Sequence, residues 1–206
     1  MNKLNKQPYY DLNINIDNAV RQDFDYRSFV NRTGNFNLRV FNYDDVKNIF
    51  NESWIDYMHD LGFMVTYGII FARDPNFDDW QHAHIDTIPD YSVVTNDHGP
   101  RPVVHYAVNW TLNPQDDAEM IWYQNNTEVN DATIISGKKI NASNFTETHR
   151  HVIGSTPTLV NTGVFHSVVG GSNNRYAISL RSMLPGVSAV CDWQTAVEHF
   201  NPYVIQ

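Results

Sequence analysis

Two histidines and one aspartate form the most informative pattern in this 206-residue chain. His84 and Asp86 are separated by one residue near the middle of the chain, and His166 follows much later. Two imidazoles and one carboxylate are a ligand set that holds Fe(II) on one face and leaves its other positions open. A His-x-Asp tripeptide is common by chance, so the prediction of an iron site depends on the surrounding sequence.

The sequence around His166 predicts strands separated by polar turns. Residues 158–169 read as a short strand, a turn and a second strand that carries His166, and residues 170–174 read as a polar hairpin connection. Residues 175–181 alternate with period two, which places four side chains on one face. These are Arg175, Ala177, Ser179 and Arg181. We expect the hairpin to lay Arg175 beside the strand of His166, where its planar guanidinium would bind a carboxylate through two hydrogen bonds.

These segments resemble the Fe(II)/2-oxoglutarate-dependent oxygenases, especially small stand-alone members related to the aspartyl/asparaginyl and prolyl hydroxylases. The distal half of the resemblance lies in VNTGVFHSVVGGSNNRYAISLRS, and the proximal half lies in HAHID, VVHYAVNWTL and AEMIWYQ. The similarity covers roughly residues 62–183. It implies an all-β core, a double-stranded β-helix (a cupin-like jelly roll) with flanking α-helices.

The resemblance also implies the roles of individual residues. Iron would be bound by His84, Asp86 and His166, and the distal carboxylate of 2-oxoglutarate would be bound by Arg175. With O2 as a further co-substrate and ascorbate as reductant, the protein would hydroxylate a C–H bond of an amino-acid side chain or small metabolite. Succinate and CO2 would be the co-products. The alternative is a non-catalytic jelly-roll protein with a binding or structural role, whose histidines are incidental.

One position departs from the pattern of many relatives. They follow the arginine with a serine two residues later, whereas this chain has Ala177 there. The second contact to the 2-oxoglutarate carboxylate is therefore either missing or supplied from elsewhere, for which Tyr123 and Ser179 are the candidates. Further residues are predicted to line the site, and their alternative role is core packing. These are Asn109, Trp110, Trp122 and Tyr123.

A rival metal-binding pattern contains His82 and His84, because a His-x-His pair with a later histidine is typical of metal-binding cupins. In a strand, His82, His84 and Asp86 would face the same way, with the outer two far apart at about 3.3 Å per residue. The cupin motif normally continues with a glutamate, which is missing here. His82 is therefore interpreted as lying near the metal or facing the substrate.

A second His-x-His pair, His149 and His151, is interpreted as two surface-strand histidines. Arg150 between them is a rival to Arg175 for the co-substrate carboxylate. Arg181 shares a face with Arg175 but lies about 20 Å further along an extended strand. Arg181 is therefore too far from Arg175 to bind the same ligand.

The composition favours one acidic catalytic domain spanning residues 1–206. A net charge of −9 and a pI near 5.3 argue against a nucleic-acid partner, since a phosphate-binding face needs clustered basic residues. The single cysteine, Cys191, excludes an internal disulfide. No apolar run is long enough for a membrane span, and residues 1–6 lack the apolar core of a signal peptide. We therefore expect a cytoplasmic enzyme.

The domain is predicted to contain an N-terminal support (1–61), a jelly-roll core (62–183) and a C-terminal helix (184–206). Alternating Leu12, Ile14 and Ile16 predict an early strand, and one amphipathic helix is expected from Asp44 to Leu61, with Gly62 ending it. Further predictions are strands at 63–71, 103–112 and 120–124 and a helix within 188–200. The polar segment 127–145 is predicted to be a loop that closes over the iron, and the alternative is an ordinary exposed hairpin.

Overall fold

A computed structural model describes residues 7–30, 36–75, 84, 93–96, 99–113, 118–125, 145–169, 171–181 and 190–206. The strands are Tyr9–Asp11 (β1), Phe36–Phe41 (β2), Tyr67–Arg73 (β3), Val93–Asn96 (β4), Gly99–Val104 (β5), Tyr106–Thr111 (β6), Glu119–Asn125 (β7), Phe145–Val152 (β8), Thr158–Asn161 (β9), His166–Val169 (β10), Arg175–Arg181 (β11) and Val190–Cys191 (β12). The helices are Tyr26–Val30 (α1), Tyr43–Ile49 (α2), Glu52–Asp60 (α3) and Trp193–Phe200 (α4), followed by a 3-10 helix at Asn201–Tyr203. The described residues therefore form a mostly β-sheet protein with few helices, as predicted for the core.

The main sheet is antiparallel and has the strand order β1-β9-β6-β11-β3-β2. β11 lies in its middle, paired with β3 on one side and β6 on the other. All seven residues of β11 are buried, because both faces of the sheet are covered at this strand. The alternating sequence of β11 therefore separates two environments, one on each face of the sheet.

One face of the main sheet packs against the helices. Tyr176, Ile178 and Leu180 of β11 point into this apolar core, where Trp54 of α3 and Phe200 of α4 are also buried. A further set of aromatic residues belongs to the same core. These are Phe41, Phe50, Phe63, Tyr106 and Trp110. The burial of these large side chains is the main stabilising contribution of the helices to the sheet.

A second antiparallel sheet, with the order β10-β7-β8, covers the other face of the main sheet. Met120 and Trp122 of β7 pack with Ala107 of β6 and Val160 of β9 in a separate apolar cluster. The Trp122 indole N–H also donates a hydrogen bond to the carbonyl of Asn161 in the main sheet, at 3.0 Å. The space between the two sheets is called the inner space below, and the sheet faces that border it are the inner faces.

The single helix predicted from Asp44 to Leu61 is instead two helices. α2 begins with a capping box between Asn42 and Asp45, and Phe50 then adopts an extended conformation. Phe50 pairs with Val20 of the N-terminal segment, and the N–H of Asn51 donates to the carbonyl of Ala19 at 2.9 Å. Tertiary pairing therefore breaks a continuous helical pattern.

Gly62 ends α3, as the sequence predicts. It has a φ of 86°, a left-handed conformation that favours glycine after a helix. Its N–H donates to the carbonyl of His59 at 2.8 Å, and the N–H of Phe63 donates to the carbonyl of Met58 at 2.8 Å. These bonds satisfy carbonyls of the last helical turn.

Several strand predictions differ from the structure in their bounds. The early strand is β1, which ends before Leu12; Leu12 and Ile14 are instead buried in the helical core. The strand predicted at 63–71 runs from Tyr67 to Arg73. The strand predicted at 103–112 is interrupted at His105, and β5 joins a small sheet of order β12-β5-β4. No helix in the described ranges is both long and apolar enough to cross a membrane.

Candidate metal and carboxylate site

His84 and His166 are paired as neighbours across two antiparallel chain segments. The backbone N–H of each residue donates to the carbonyl of the other, both at 2.9 Å. Because directly opposite residues project to the same side of a sheet, this pairing brings the two imidazoles together. Their ring centres are 4.4 Å apart with an angle of 52° between the planes. The structure therefore brings together two of the three predicted metal ligands.

The separation of these two rings can be compared with what one metal ion requires. An imidazole nitrogen binds a divalent metal at about 2.0–2.1 Å, and two imidazoles at roughly right angles around the ion then have ring centres about 4.5 Å apart. The observed 4.4 Å lies close to this value. The two rings are therefore as close to each other as two ligands of one ion would be.

The His166 ring is held in one orientation. Its side chain is only 3 % exposed, and Nδ1 lies 2.9 Å from the carbonyl oxygen of Val164. A carbonyl only accepts, so Nδ1 carries the proton and the lone pair of the neutral ring is on Nε2. Metal-binding histidines commonly have such a carbonyl on their second nitrogen, which fixes the ring and its tautomer.

The third predicted ligand, Asp86, lies outside the described residues, as does His82. Within the part of the chain that the structure describes, no group of three His, Cys, Asp or Glu side chains could hold a metal ion. The polar loop predicted at 127–145 also lies outside it, except for Phe145 at the start of β8. The structure thus describes the positions of the two histidines, and the carboxylate ligand stays a prediction.

Arg175 is buried on the inner face of the main sheet, with 9 % of its surface exposed. The expected hairpin between the strands of His166 and Arg175 is wrong, because β10 pairs with β7 whereas β11 pairs with β3 and β6. Residues 170–174 instead connect the two sheets. Arg175 therefore approaches the inner space from the sheet opposite His166.

Arg73 is a further buried cation on this inner face, and the sequence analysis missed it. It lies directly opposite Arg175 and is 6 % exposed. Its Nη1 donates to the carbonyl of Val168 at 3.2 Å, and Val168 lies two residues after His166 on β10. This bond ties the arginine-bearing end of the main sheet to the strand that carries His166. The signal in the sequence was the single charged residue that ends the apolar run of residues 69–72.

Ser179 and Asn109 lie opposite each other on the same inner face, as partners between β11 and β6. The Ser179 hydroxyl accepts a hydrogen bond from Nε of Arg181 at 3.2 Å. The side-chain oxygen of Asn109 is buried and has no hydrogen-bond partner in the described ranges of the chain. Both residues therefore border the inner space, and the Ser179 hydroxyl oxygen accepts a hydrogen bond there from Arg181.

The predicted lining residues divide between the two sides of the sheets. Trp122 is the cross-strand partner of His166 and lies on its inner face. Tyr123 does not, because its hydroxyl meets that of Ser167 at 2.9 Å on the opposite face of that sheet. Trp110 packs with Trp54 in the helical core, which is its alternative, structural role. Alternation along a strand thus separates neighbours that the sequence analysis had grouped.

The rival cation, Arg150, lies on the outer side of β8. It forms ion pairs with Glu147, at 2.8 Å, and with Glu119. These hydrogen bonds raise the pKa of its guanidinium. Of the two arginines, the structure places Arg175 on the inner face, while Arg150 is already neutralised by two exposed carboxylates.

His149 and His151 lie on the inner side of β8, two strands away from His166 across β7. Their strand lies about 9.6 Å from that of His166, and Trp122 of β7 lies between His149 and His166. The surface role predicted for His151 is wrong, because its ring stacks on Tyr9 with centres 4.2 Å apart and Nε2 lies 2.9 Å from Asp11. His151 therefore links the edges of the two sheets.

Comparison with known proteins found no relative of this chain. No family model matches the chain, and no curated protein or solved structure matches it either.

Proposed function

We propose that this chain is an Fe(II)- and 2-oxoglutarate-dependent dioxygenase that hydroxylates a C–H bond of an amino-acid side chain or small metabolite. In this proposal the two facing sheets are those of a double-stranded β-helix. The observation that carries it is the pairing of His84 with His166 on one inner face, opposite the buried Arg175 on the other. A metal and a carboxylate would then meet in the same inner space.

His84, Asp86 and His166 would hold the iron. This donor set suits Fe(II), and the bond from His166 to the Val164 carbonyl directs Nε2 away from the backbone, as a ligand nitrogen needs. When bound, the iron supplies the activation of O2, coupled to the conversion of 2-oxoglutarate to succinate and CO2. Ascorbate is the reductant that we expect to sustain turnover.

Arg175 would bind the distal carboxylate of 2-oxoglutarate. A guanidinium binds a carboxylate through two parallel hydrogen bonds, which fix its direction as well as its position. Because Arg175 is buried, its attraction for an anion is less weakened by water than that of an exposed cation. The bond from Arg73 to Val168 supports this role, since it restrains the distance between the two sheets beside Arg175.

The apolar part of the inner space would orient the substrate. Met120, Trp122 and Val168 pack there with Ala107 and Val160. Such a lining limits the water near a reacting C–H bond and restrains a substrate to few orientations. The chain's own task would be binding, orientation and exclusion of water, and it would not need a catalytic nucleophile.

Metal binding provides the first test, because it does not require the substrate to be known. The wild-type protein should bind one Fe(II) per chain under anaerobic conditions, and Mn(II) should compete for the same site. His84→Ala, Asp86→Ala and His166→Ala should each lose this binding in calorimetric titration. His199→Ala is the matched control because His199 is exposed on α4, and it should bind iron normally.

Succinate release from 2-oxoglutarate with Fe(II) and ascorbate is the second measurement. We expect it in the wild-type protein and not in the three ligand variants. A wild-type protein that binds no Fe(II) and releases no succinate would favour a non-catalytic binding or structural protein. Loss of iron in His82→Ala but not in Asp86→Ala would favour the cupin-like ligand set.

A further inference from the structure

Thr111 carries a buried hydroxyl that has no hydrogen-bond partner among the described residues. The side chain is 4 % exposed, and its Oγ1 is out of contact with solvent. Leaving a buried hydroxyl unpaired costs free energy, so natural proteins keep such groups rarely. An unpaired hydroxyl at this position therefore suggests a ligand that completes its hydrogen bonding.

The position of Thr111 is set by the pairing of β6 with β11. Thr111 lies directly opposite Ala177, so both side chains point to the inner face. The backbone N–H of Thr111 donates to the carbonyl of Gly154 at 2.8 Å, which holds this end of β6 in place. Directly opposite residues have Cβ atoms about 4.5–5.5 Å apart. A hydroxyl at Thr111 is thus close to the place where a hydroxyl at residue 177 would lie.

Arg175 is the diagonal neighbour of Thr111 on this face, since it precedes Ala177 by two residues. Diagonal neighbours are about 7–8 Å apart at their backbones, within reach of a long arginine side chain. A carboxylate between them can accept from the guanidinium with one oxygen and from the hydroxyl with the other. The two previously expected donors are less well placed, because Tyr123 lies on another face and Ser179 lies four residues from Arg175 along β11, about 13 Å away.

We propose that Thr111 supplies the second contact to the distal carboxylate of 2-oxoglutarate, together with Arg175. The contact comes from the neighbouring strand β6 and replaces a hydroxyl that β11 lacks at Ala177. The inference rests on the proposed function for the identity of the ligand. Thr111 would act as a specificity-determining residue, which recognises the end of the co-substrate remote from the metal.

The test compares two ligands that differ only at that end. 2-Oxoglutarate has the distal carboxylate, whereas 2-oxopentanoate has a methyl group there. Affinities for both are measured by calorimetric titration of the Mn(II)-loaded protein without O2. Thr111→Val removes the hydroxyl but nearly preserves the shape, and we expect it to weaken 2-oxoglutarate binding about tenfold, as for loss of a hydrogen bond to a charged group. Binding of 2-oxopentanoate should change less than about twofold.

Two further variants restore the hydroxyl. Thr111→Ser should bind 2-oxoglutarate within about threefold of wild type, because it keeps the donor. The double variant Thr111→Val with Ala177→Ser should recover most of the lost affinity, because it places a hydroxyl on β11 itself. The matched control is Thr162→Val, since Thr162 is fully buried with an unpaired hydroxyl but does not lie opposite β11. It should bind 2-oxoglutarate like the wild type.

The outcomes separate this inference from the proposed function. If the wild-type protein binds 2-oxoglutarate and Thr111→Val binds it equally well, the role of Thr111 is refuted while the proposed function stands. Equal weakening of both ligands by Thr111→Val would also refute it, because the effect would not concern the distal carboxylate. If the metal-loaded wild-type protein binds neither 2-oxoglutarate nor 2-oxopentanoate, the proposed function is refuted, and the role of Thr111 with it.

Discussion

Among Gly62, Gly68, Gly154 and Gly163, an added methyl group would make the closest contacts at Gly68. It lies on β3 between β2 and β11, opposite Phe41 and Leu180. A Cβ atom at this residue would lie 2.7 Å from the carbonyl oxygen of Ser179 and 2.9 Å from Cε1 of Phe41, and closer still to Cζ of the same ring. Atoms of both neighbouring strands, β2 and β11, therefore occupy the space that a side chain at residue 68 would need.

Neither neighbour of Gly68 can move aside easily. The Phe41 ring is fully buried and packs edge-on against Phe50, with ring centres 5.7 Å apart. The carbonyl of Ser179 belongs to the backbone of the central strand. Overpacking a well-packed core typically costs about 1–3 kcal/mol. We expect Gly68→Ala to lie at the upper end, about 3 kcal/mol, because the contacts involve a backbone atom and a restrained ring.

Urea denaturation and thermal denaturation, both followed by circular dichroism, measure the free energy of unfolding and the melting temperature. A loss of about 3 kcal/mol should lower the melting temperature by about 6–12 °C for a chain of this size. The control is Gly154→Ala, since a Cβ there would meet no atom within 4 Å. It should change the unfolding free energy by less than about 0.5 kcal/mol.

A double-variant cycle shows which neighbour is responsible. Phe41→Leu replaces the ring with a shorter side chain, which should relieve the clash with the ring atoms. It should not relieve the clash with the carbonyl oxygen of Ser179. The cost of Gly68→Ala should therefore be smaller, though not absent, in the Phe41→Leu background. An unfolding free energy for Gly68→Ala within about 0.5 kcal/mol of wild type would refute the packing described here for β2, β3 and β11.

Two other predictions concern the edges of the fold. Hydrogen bonds from His151 and Thr158 hold the pKa of the Asp11 carboxyl below its usual value. Ionised Asp11 therefore stabilises the folded state fully at pH values above its unfolded pKa of about 4. This contribution is lost as the pH falls through the lower pKa of the folded state. Asp11→Asn should therefore flatten the dependence of the unfolding free energy on pH between about 5 and 3, and an unchanged slope in urea titrations would contradict the role of this pair. Asp192 caps α4 by accepting a hydrogen bond from the N–H of Thr195 at 2.7 Å. Asp192→Ala should therefore lower the free energy of unfolding by about 1 kcal/mol. An unchanged midpoint of urea unfolding would show that the cap does not stabilise the protein.

The strands nearest the site were the easiest to predict from the sequence. The bounds of β9, β10 and β11 agree with the strands read from residues 158–181, because alternation and polar turns are strong there. Their pairing was predicted wrongly. Consecutive strands are often neighbours, but residues 170–174 lead from one sheet to the other. Local sequence therefore indicated the strands without indicating their partners.

The residues that were missed are those whose position depends on register. Nothing near Thr111 or Arg73 in the sequence indicates that they lie beside Ala177 and Arg175, because these pairs form between distant strands. The break of the helix at Phe50 has a similar origin, since the N-terminal segment pairs there. The separation of Trp110 from Trp122 follows from which side of each sheet faces the helices.

The paired residues of the candidate site are far apart in the sequence, and this separation affects when the site forms during folding. Arg73 meets Arg175, and His84 meets His166, only after β3 and the segment of His84 have found strands made much later in the chain. Such distant contacts close large loops of chain and form slowly compared with local ones. If the proposed metal site exists, metal binding should therefore appear late in refolding, after most of the helical circular-dichroism signal has returned. Metal binding would then report on completed folding more faithfully than secondary structure does.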